Sequence, residues 1–415
     1  MNKQKIIIGL AVLVLALAVY FFSHDRTTHQ HGSTTEQAGV SVRPHSTSGV
    51  VSVDIKFVNG RLHLLLGKLD QDQDQASLWY QSSPDHGQTW SKLVNITATM
   101  DITAKFHRGN DARLAVQGNN IVAVWMSKKE GAPHNAGPMM SVRSADGGQS
   151  WQQAGMPADW DGAHGFFAMD SNEKQISLVW LDSRQQLGKG SQGMRYTHSQ
   201  NGGITWLANK TLDQQTCACC WNTARFDGEG QLYVLYRDKQ PSDMALGQVD
   251  QHGKWQRLSS VGDFNWDFEG CPHIGGGLAF DESGQFHATV ATGHEQYLGV
   301  YYLNSVDQGR SWSAKIQLGD SSAVHSDIAV LDNGIVLATW DQISESGFEV
   351  VYALSQDGGE TWGEQIAIST KGIRSSHPRV IAMNKEFLLL WTESTVGGAH
   401  SLQTKLIING DEIDN

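Results

Sequence analysis

The sequence predicts an all-β fold, a β-propeller of four-stranded blades, seven by repeat count with six as the alternative count. Three observations support this prediction: a short turn motif that recurs, a strand pattern with regular spacing, and a composition suited to many tight turns. The chain of 415 residues contains 44 Gly and 14 Trp but only 8 Pro. Abundant Gly and aromatic residues with few Pro are typical of short strands joined by Gly-containing turns.

The turn motif has the form S-x-[DN]-x-G-x-[ST]-W. It occurs at residues 83–90, 144–151, 199–206, 305–312 and 355–362, and a degenerate copy occupies residues 248–255. Asp or Asn caps nearby backbone donors, and Gly supplies a positive φ without steric cost. We expect the Trp to pack each turn onto its own sheet by burying apolar area. The motif therefore predicts a stabilising element of the fold rather than a catalytic one.

Between these turns, strand-like segments recur, such as residues 121–125, 176–180 and 336–340. The repeating units start near residues 51, 108, 164, 221, 274, 325 and 377, with a spacing of 51 to 57 residues. This spacing matches one four-stranded propeller blade. The last unit contains only three strands, so we expect the segment around Val40 to Val42 to supply its fourth strand and close the ring.

The N-terminus carries a targeting pattern. Lys3 and Lys5 precede an apolar run over residues 6–22, which is just long enough to span a membrane. We interpret residues 1–23 as a signal anchor or a cleaved signal peptide, 24–48 as a flexible polar linker, and 49–415 as the propeller. The basic flank predicts a chain anchored in a bacterial cytoplasmic membrane with its propeller in the periplasm, or secreted to the periplasm after cleavage. A net charge of −12 argues against a nucleic-acid partner.

Polar residues occupy equivalent positions near the start of four innermost strands. Alignment of the seven units places Asp54, Arg113, Asp327 and Arg379 at one inward position, where apolar residues are usual. Two interpretations remain open. The four side chains form ion pairs that line the channel, or they form a polar site for an anionic or sugar ligand, which the planar guanidinium suits.

Cysteine and histidine residues gather at the same end of the units. Cys217, Cys219, Cys220 and Cys271 fall within 55 residues, just before units four and five. Histidines occur at or before the start of other units: His107, His164, His273, His325 and His377. An oxidising compartment favours disulfides, of which three pairings are possible. Imidazole and thiolate together also form a ligand set for copper or zinc, and a redox role is a third interpretation.

The turn motif resembles the Asp box, or BNR repeat, of the sialidase superfamily, over roughly residues 50–410. The resemblance implies a propeller that binds a substrate carboxylate through three arginines and uses a Tyr–Glu pair with an Asp acid/base. Arg379 matches the last of these arginines, and Arg113 and Arg225 are weaker matches. The first innermost strand has no Arg-Ile-Pro motif, and the candidates for the Tyr–Glu pair are Tyr301, Tyr302 and Glu269.

Three functional hypotheses follow. The first is a glycoside hydrolase for anionic glycans, with Asp54, Arg113, Asp327 and Arg379 as the catalytic cluster. The second is a non-catalytic propeller that binds a glycan or a protein. The third is a copper, zinc or redox protein that uses Cys217, Cys219, Cys220, Cys271, His164, His273, His325 and His377.

Overall fold

Seven antiparallel sheets surround a central channel in the computed structural model, which describes residues 49–70, 76–98, 100, 104–128, 137–184, 191–395 and 398–408. The innermost strand of each sheet contacts the innermost strands of both neighbours, and the first strand of the chain contacts the innermost strand of the last sheet. The ring is therefore closed by seven blades, which confirms the repeat count and excludes the alternative of six.

The first four blades follow the chain from the innermost strand outwards. Blade 1 comprises β1 (Gly49–Val58), β2 (Arg61–Leu69), β3 (Ala76–Ser83) and β4 (Val94–Asn95). Blade 2 comprises β5 (Ala104–Lys105), β6 (Arg113–Gln117), β7 (Asn120–Ser127), β8 (Met139–Ser144) and β9 (Gln152–Gln153). Blade 3 comprises β10 (His164–Ser171), β11 (Ile176–Asp182), β12 (Ser191–Ser199) and β13 (Lys210–Cys217). Blade 4 comprises β14 (Thr223–Phe226), β15 (Leu232–Arg237), β16 (Met244–Val249) and β17 (Trp255–Val261).

The remaining three blades repeat this order. Blade 5 comprises β18 (Gly276–Phe280), β19 (Phe286–Thr292), β20 (Gly299–Ser305) and β21 (Ile316–Leu318). Blade 6 comprises β22 (Asp327–Val330), β23 (Val336–Ser344), β24 (Gly347–Ser355) and β25 (Ile366–Ala367). Blade 7 comprises β26 (Arg374–Met383), β27 (Glu386–Ser394) and β28 (Ser401–Ile408).

Blade 7 has three strands within the described residues, and the start of β1 lies beside its outermost strand. The backbone N–H of Val50 donates to the carbonyl of His400 at 2.8 Å. The predicted closing strand around Val40 to Val42, the signal segment 1–23 and the linker 24–48 lie outside the described residues. Among the residues that are described, no helix has the length and hydrophobicity needed to cross a membrane.

The Asp boxes form the turns between the third and fourth strands. In the first box, Ser83 Oγ accepts from the backbone N–H of Gly87 at 2.8 Å, and Asp85 Oδ1 accepts from the N–H of Thr89 at 2.8 Å. Trp151 of blade 2 packs against a cluster formed by its own blade and by the preceding one. Its ring centroid lies 5.2 Å from that of Tyr80 in blade 1, so this box ties its blade to the preceding one.

Packing between blades also explains the invariant Gly of the box. A Cβ on Gly148 or Gly359 would overlap the Tyr80 or Tyr302 ring of the preceding blade, and both glycines have a positive φ, 95° and 94°. Only Gly accepts both the backbone conformation and the close approach. The boxes are therefore joints between blades as well as turns.

The two ends of the channel differ. The Asp boxes lie at the end where the innermost strands finish, and a cavity of about 480 Å³ opens there, lined in part by Lys56, Asp170 and Arg225. We call the opposite end, where the innermost strands begin, the mouth face. The loops that precede each innermost strand meet on this face, and they carry most of the predicted site residues.

Candidate functional site on the mouth face

Two histidines from adjacent blades stack at the mouth face. The rings of His325, before β22, and His377, in β26, have centroids 3.8 Å apart and planes inclined by 15°. His273 is near this pair, as shown by the charges of His107 and His325, which both act on its imidazole. Four of the five histidines that the sequence placed before a strand therefore converge from blades 2, 5, 6 and 7.

Asp341 of β23 orients the stacked pair. Its Oδ2 lies 2.7 Å from His325 Nδ1 and accepts the backbone N–H of His377 at 2.8 Å, while its Oδ1 accepts the N–H of His325 at 3.1 Å. His377 Nδ1 is 3.1 Å from Ser376 Oγ. A carboxylate on Nδ1 fixes the tautomer and directs Nε2 away from it, the arrangement found in metal-binding histidines. Ligand atoms of His325, Asp341 and His377 lie within 4.8 Å of one another.

Two imidazoles of this cluster, those of His273 and His377, are held neutral. Burial lowers the pKa of His377 well below its usual range, and the neighbouring His325, Arg108 and Arg374 lower it further. Burial also lowers the pKa of His273 to about 4, with His107 and His325 adding to the effect. Neutral imidazole is the form that binds a metal ion, so these groups are ready to coordinate one at neutral pH.

Two of these histidines have an unusual backbone conformation. His273 and His377 have φ values of 57° and 54°, in the left-handed region that non-glycine residues rarely adopt. In β26 the strand register shifts between Ser376 and Arg379, which places His377 in a bulge. Such conformations cost of order 1 kcal/mol or more and concentrate at functional sites. The surrounding structure therefore holds these two residues in a strained backbone conformation, and their imidazoles point towards the channel.

Trp221 closes the channel beneath the histidines. It precedes β14 in blade 4 and is only 4% exposed. Its ring centroid lies 5.4 Å from that of His325 and 6.0 Å from that of His377. A Cβ on Gly275 of the next loop would overlap the indole. The indole thus reaches from blade 4 towards blades 5, 6 and 7, and its Nε1 is buried with no hydrogen-bond partner among the described residues.

The predicted catalytic residues lie deeper in the channel and form two similar pairs. Arg113 Nη1 lies 3.3 Å from Asp54 Oδ1, and Asp54 Oδ2 accepts the backbone N–H of Leu114 at 2.8 Å. Arg379 Nη1 lies 3.9 Å from Asp327 Oδ2, which accepts from the N–H of Val380 at 3.2 Å.

Each Asp therefore bonds to the innermost strand of the next blade, so both pairs tie neighbouring blades together. Asp327 and Arg379 lie two residues beyond His325 and His377 along their strands. Trp221 packs against those histidines and so lies on the mouth side of the ion pairs.

A third ion pair was not anticipated from the sequence. Arg108 Nη1 lies 2.7 Å from Asp111 Oδ1, and Arg108 also donates to the carbonyl of His377 across the channel. Asp111 is buried, which raises its pKa, yet the charges of Arg108, Arg113 and Arg379 outweigh burial and lower it overall. Three arginines therefore act on one carboxylate.

The cysteines divide into one disulfide and two thiols within the described residues. Cys219 and Cys271 are bonded, which joins the loops before blades 4 and 5, and Cys217 and Cys220 are free and buried. Burial raises the pKa of Cys217, but the hydrogen bond with the Cys220 thiol and the Cys219 backbone outweigh it, and the result is about 7. The sequence left three pairings open, and Cys219 and Cys271, both predicted metal ligands, are bonded to each other.

His164 and the remaining candidates lie elsewhere. His164 Nδ1 accepts the backbone N–H of Met139 at 3.2 Å, and its ring packs beside Trp160 and Trp180 in blade 3. Tyr302 Oη is buried between blades, 2.8 Å from His287 Nδ1 and 3.2 Å from the carbonyl of Gly358. These side chains serve packing at the positions where the structure places them.

Sequence reasoning assigned no role to Trp221, and it placed Asp341 on the mouth face only as one of several polar residues at the ends of second strands. A signal for this end of the second strands existed, since an acidic or amide residue stands two positions after a Trp in several of them. Trp180 Nε1 donates to Asp182, Trp340 Nε1 to Gln342 and Trp391 Nε1 to Glu393. That repeat marks polar residues at the mouth face, and in blade 6 it falls on Gln342, one residue beyond Asp341.

No protein-family model matches this sequence, and no curated protein matches it. Among solved structures, a PL25 ulvan lyase bound to -[GlcA(1-4)Rha3S]- has a TM-score of 0.59 at 12% identity, covering 88% of this chain and 95% of that chain. The intramolecular trans-sialidase from Ruminococcus gnavus has a TM-score of 0.50 at 11% identity, covering 90% and 97%. The chain thus has a sialidase-like propeller fold, as the Asp boxes predicted, and at this identity the likeness concerns the fold alone.

Proposed function

We propose that this chain is a propeller that binds a copper or zinc ion at the mouth face, rather than a glycosidase. The observation that carries the proposal is the pair of stacked imidazoles, His325 and His377, fixed by the single carboxylate of Asp341. The ligand atoms of His325, Asp341 and His377 lie within 4.8 Å of one another, and His273 and His107 are near enough for the charges of His107 and His325 to act on His273. Imidazole nitrogen favours copper and zinc over magnesium or calcium, which prefer oxygen ligands.

The surroundings support a bound ion. Burial keeps the imidazoles of His273 and His377 unprotonated at neutral pH, so metal binding does not compete with a proton there. The Trp221 indole forms an apolar floor, which limits water access and strengthens the bonds to the ion. The left-handed backbone at His273 and His377 is locally unfavourable, and such strain is typical of residues held in place for binding.

The test is metal content and affinity of the full chain, purified without a histidine tag. We expect about one copper or zinc ion per chain after dialysis, and a loss of affinity of at least tenfold in His377→Gln. His86→Gln is the matched control, because His86 lies on the Asp-box side, 3.2 Å from Glu386. Equal metal content in all three proteins, or no bound metal in any, would overturn the proposal.

Glycan recognition is the second candidate, because Arg108, Arg113 and Arg379 act on the same buried carboxylate. Guanidinium groups gathered in this way suit the carboxylate of an acidic sugar, and a hydrolase of anionic glycans would use Asp54 and Asp327 beside them. Such a ligand would have to displace Trp221 or enter from the Asp-box end, since the indole lies over this ring at the mouth face.

The second candidate is tested with sialosides and glucuronide oligosaccharides. Turnover that is lost in Arg379→Ala would establish a hydrolase, whereas binding without turnover would indicate a non-catalytic glycan-binding propeller. If the protein shows no turnover and no binding at millimolar ligand, glycan recognition is excluded and the metal site remains as the proposed function. Circular dichroism of Arg379→Ala is needed alongside, because the side chain also pairs with Asp327.

Export is part of the proposal and rests on the apolar run at residues 6–22 behind Lys3 and Lys5. We expect the protein in the membrane fraction if the run remains as an anchor, and in the soluble periplasmic fraction if it is cleaved. The intact mass of the purified protein distinguishes the two. Recovery in the cytoplasm would contradict both.

A further inference from the structure

The four cysteine residues on the mouth face differ in exposure. Cys217, Cys219 and Cys220 are 3%, 1% and 1% exposed, whereas Cys271, the other half of the disulfide, is exposed at the surface. The free thiol of Cys217 lies 3.8 Å from the bonded sulfur of Cys219. A buried nucleophile therefore faces the inner sulfur of a disulfide whose other residue, Cys271, is exposed.

We propose that Cys217, Cys219 and Cys271 form a thiol–disulfide exchange site. The Cys217 thiolate attacks Cys219 Sγ, the Cys217–Cys219 bond forms, and the Cys219–Cys271 bond breaks. The electron pair of the broken bond leaves on Cys271 Sγ, which becomes a surface thiolate and takes up the proton that Cys217 released. One disulfide and two thiols are present before and after the step, so it needs no external oxidant or reductant.

The loop that carries Cys271 is held in place independently of the disulfide. Ser242 donates from its backbone N–H to the carbonyl of Trp266 at 2.7 Å and from Oγ to the carbonyl of Phe268 at 3.0 Å. Lys239 Nζ donates to the carbonyl of Glu269 at 3.2 Å. These bonds remain when the Cys219–Cys271 bond opens, so exchange does not require the loop to unfold.

Positive charge also surrounds the attacking sulfur. Arg237 and Lys239 both act on Cys217, and Arg237 is buried and donates to the carbonyls of Ile274 and Ala291 at 3.1 and 2.8 Å. Fixed cations beside a sulfur stabilise the developing negative charge during exchange. Cys220, which is buried beside Cys217, is not part of the proposed step and serves as its comparison.

The proposed step leaves a thiolate on Cys271, an exposed residue, and this position implies a substrate that is a disulfide in solution. Surface Cys271 thiolate attacks a disulfide in solution, forms a mixed disulfide with one half, and releases the other half as a thiolate. Oxidised glutathione is the probe for this second step. Cys271 Sγ lies within 4.8 Å of a ring nitrogen of His273, so the experiments are run with a chelator present to exclude a bound metal ion.

The test is labelling of the native full chain with a thiol alkylating reagent, followed by non-reducing peptide mapping. In the wild type, we expect the label on Cys271 together with a Cys217–Cys219 disulfide, and with oxidised glutathione a mixed disulfide on Cys271. In Cys217→Ser, labelling of Cys271 should fall at least tenfold and the Cys219–Cys271 bond should persist. Cys220→Ser keeps a hydroxyl that donates to the Cys217 sulfur, so the label on Cys271 and the Cys217–Cys219 disulfide should persist.

Two results would overturn the proposal. One is a wild-type chain that keeps Cys219–Cys271 and gains no label on Cys271. The other is equal labelling of Cys271 in the wild type and Cys217→Ser. If Cys217→Ser does not fold, the wild-type map decides, because a label on Cys271 together with a Cys217–Cys219 disulfide is the product pair of the proposed step.

Discussion

The imidazole rings of His325 and His377 lie parallel, with centroids 3.8 Å apart, and the same Asp341 oxygen binds His325 Nδ1 and the backbone N–H of His377. Two protonated rings at this separation would repel each other, so the arrangement requires at least one neutral imidazole. Burial and the neighbouring charges make His377 that neutral partner. The contact joins blade 6 to blade 7 and creates a nitrogen-rich surface at the channel mouth.

The substitution Asp341→Asn tests the orienting role of this carboxylate. The amide would retain one acceptor oxygen but lose the charge that holds His325 Nδ1, so we expect metal affinity to fall about 10- to 100-fold. The measurement is competition with a chromophoric chelator for zinc or copper. Asp170→Asn is the control, since Asp170 lies at the other end of the channel beside Lys56. Equal affinities for both variants would show that Asp341 does not orient a ligand.

Trp221 provides a prediction about stability. Truncation to Ala removes the indole that packs against His325 and His377, and a cavity of that size costs about 3 to 5 kcal/mol. Urea unfolding measures this loss. Trp90→Ala, in a half-buried Asp-box position, should cost clearly less. A loss for Trp221→Ala no greater than that of the control would mean that the indole does not seal the channel.

His164 predicts a stability loss in mild acid. Burial lowers its pKa from 6.5 to about 4, so between these values the unfolded chain binds the additional proton. The contribution is fully present above about pH 6.5 and is lost as pH falls towards 4, by roughly 2.5 kcal/mol at pH 4.5. His164→Asn keeps an acceptor for the Met139 N–H, and its unfolding free energy should depend less on pH. Parallel pH profiles for the wild type and the variant would contradict this prediction.

The Asp boxes predict a contrast between two substitutions. In the third box, Asn201 Oδ1 accepts the backbone N–H of Thr205 at 3.0 Å, as Asp357 does for Thr361 at 2.9 Å. Asp357→Asn should therefore leave the thermal midpoint nearly unchanged at pH 7, and Asp357→Ala should lower it.

The pH dependence of stability also distinguishes these two variants from the wild type. Hydrogen bonds from Thr361 lower the pKa of Asp357 to about 2, so its contribution is present above about pH 4 and is lost as pH falls towards 2. Asp357→Asn should lack this part of the acid dependence. A midpoint lowered equally by Asn and Ala at pH 7 would show that the box acts through charge rather than through its hydrogen bonds.

Much of the fold followed from local patterns. The Asp box is a turn whose hydrogen bonds join residues two to four positions apart, such as Ser83, Asp85 and Thr89, so eight residues suffice to specify it. The unit spacing then gave seven blades, and alignment gave Asp54, Arg113, Asp327 and Arg379 equivalent inward positions. It did not decide their pairing, because each Asp bonds to a strand more than 50 residues away.

The sequence by itself determined the repeating unit of the blades and the face on which the cysteines and histidines gather. It predicted seven blades with six as the alternative, which the structure resolved in favour of seven, and an export signal, which remains a prediction. Tertiary structure alone decided that Cys219 bonds Cys271, that Trp221 lies across the channel, and that His325 and His377 stack while His164 packs beside Trp160 and Trp180. The physical reason is the range of the interactions. Turns and strand patterns depend on neighbours in sequence, whereas contacts across a ring depend on how seven blades pack together, and no local pattern encodes that packing.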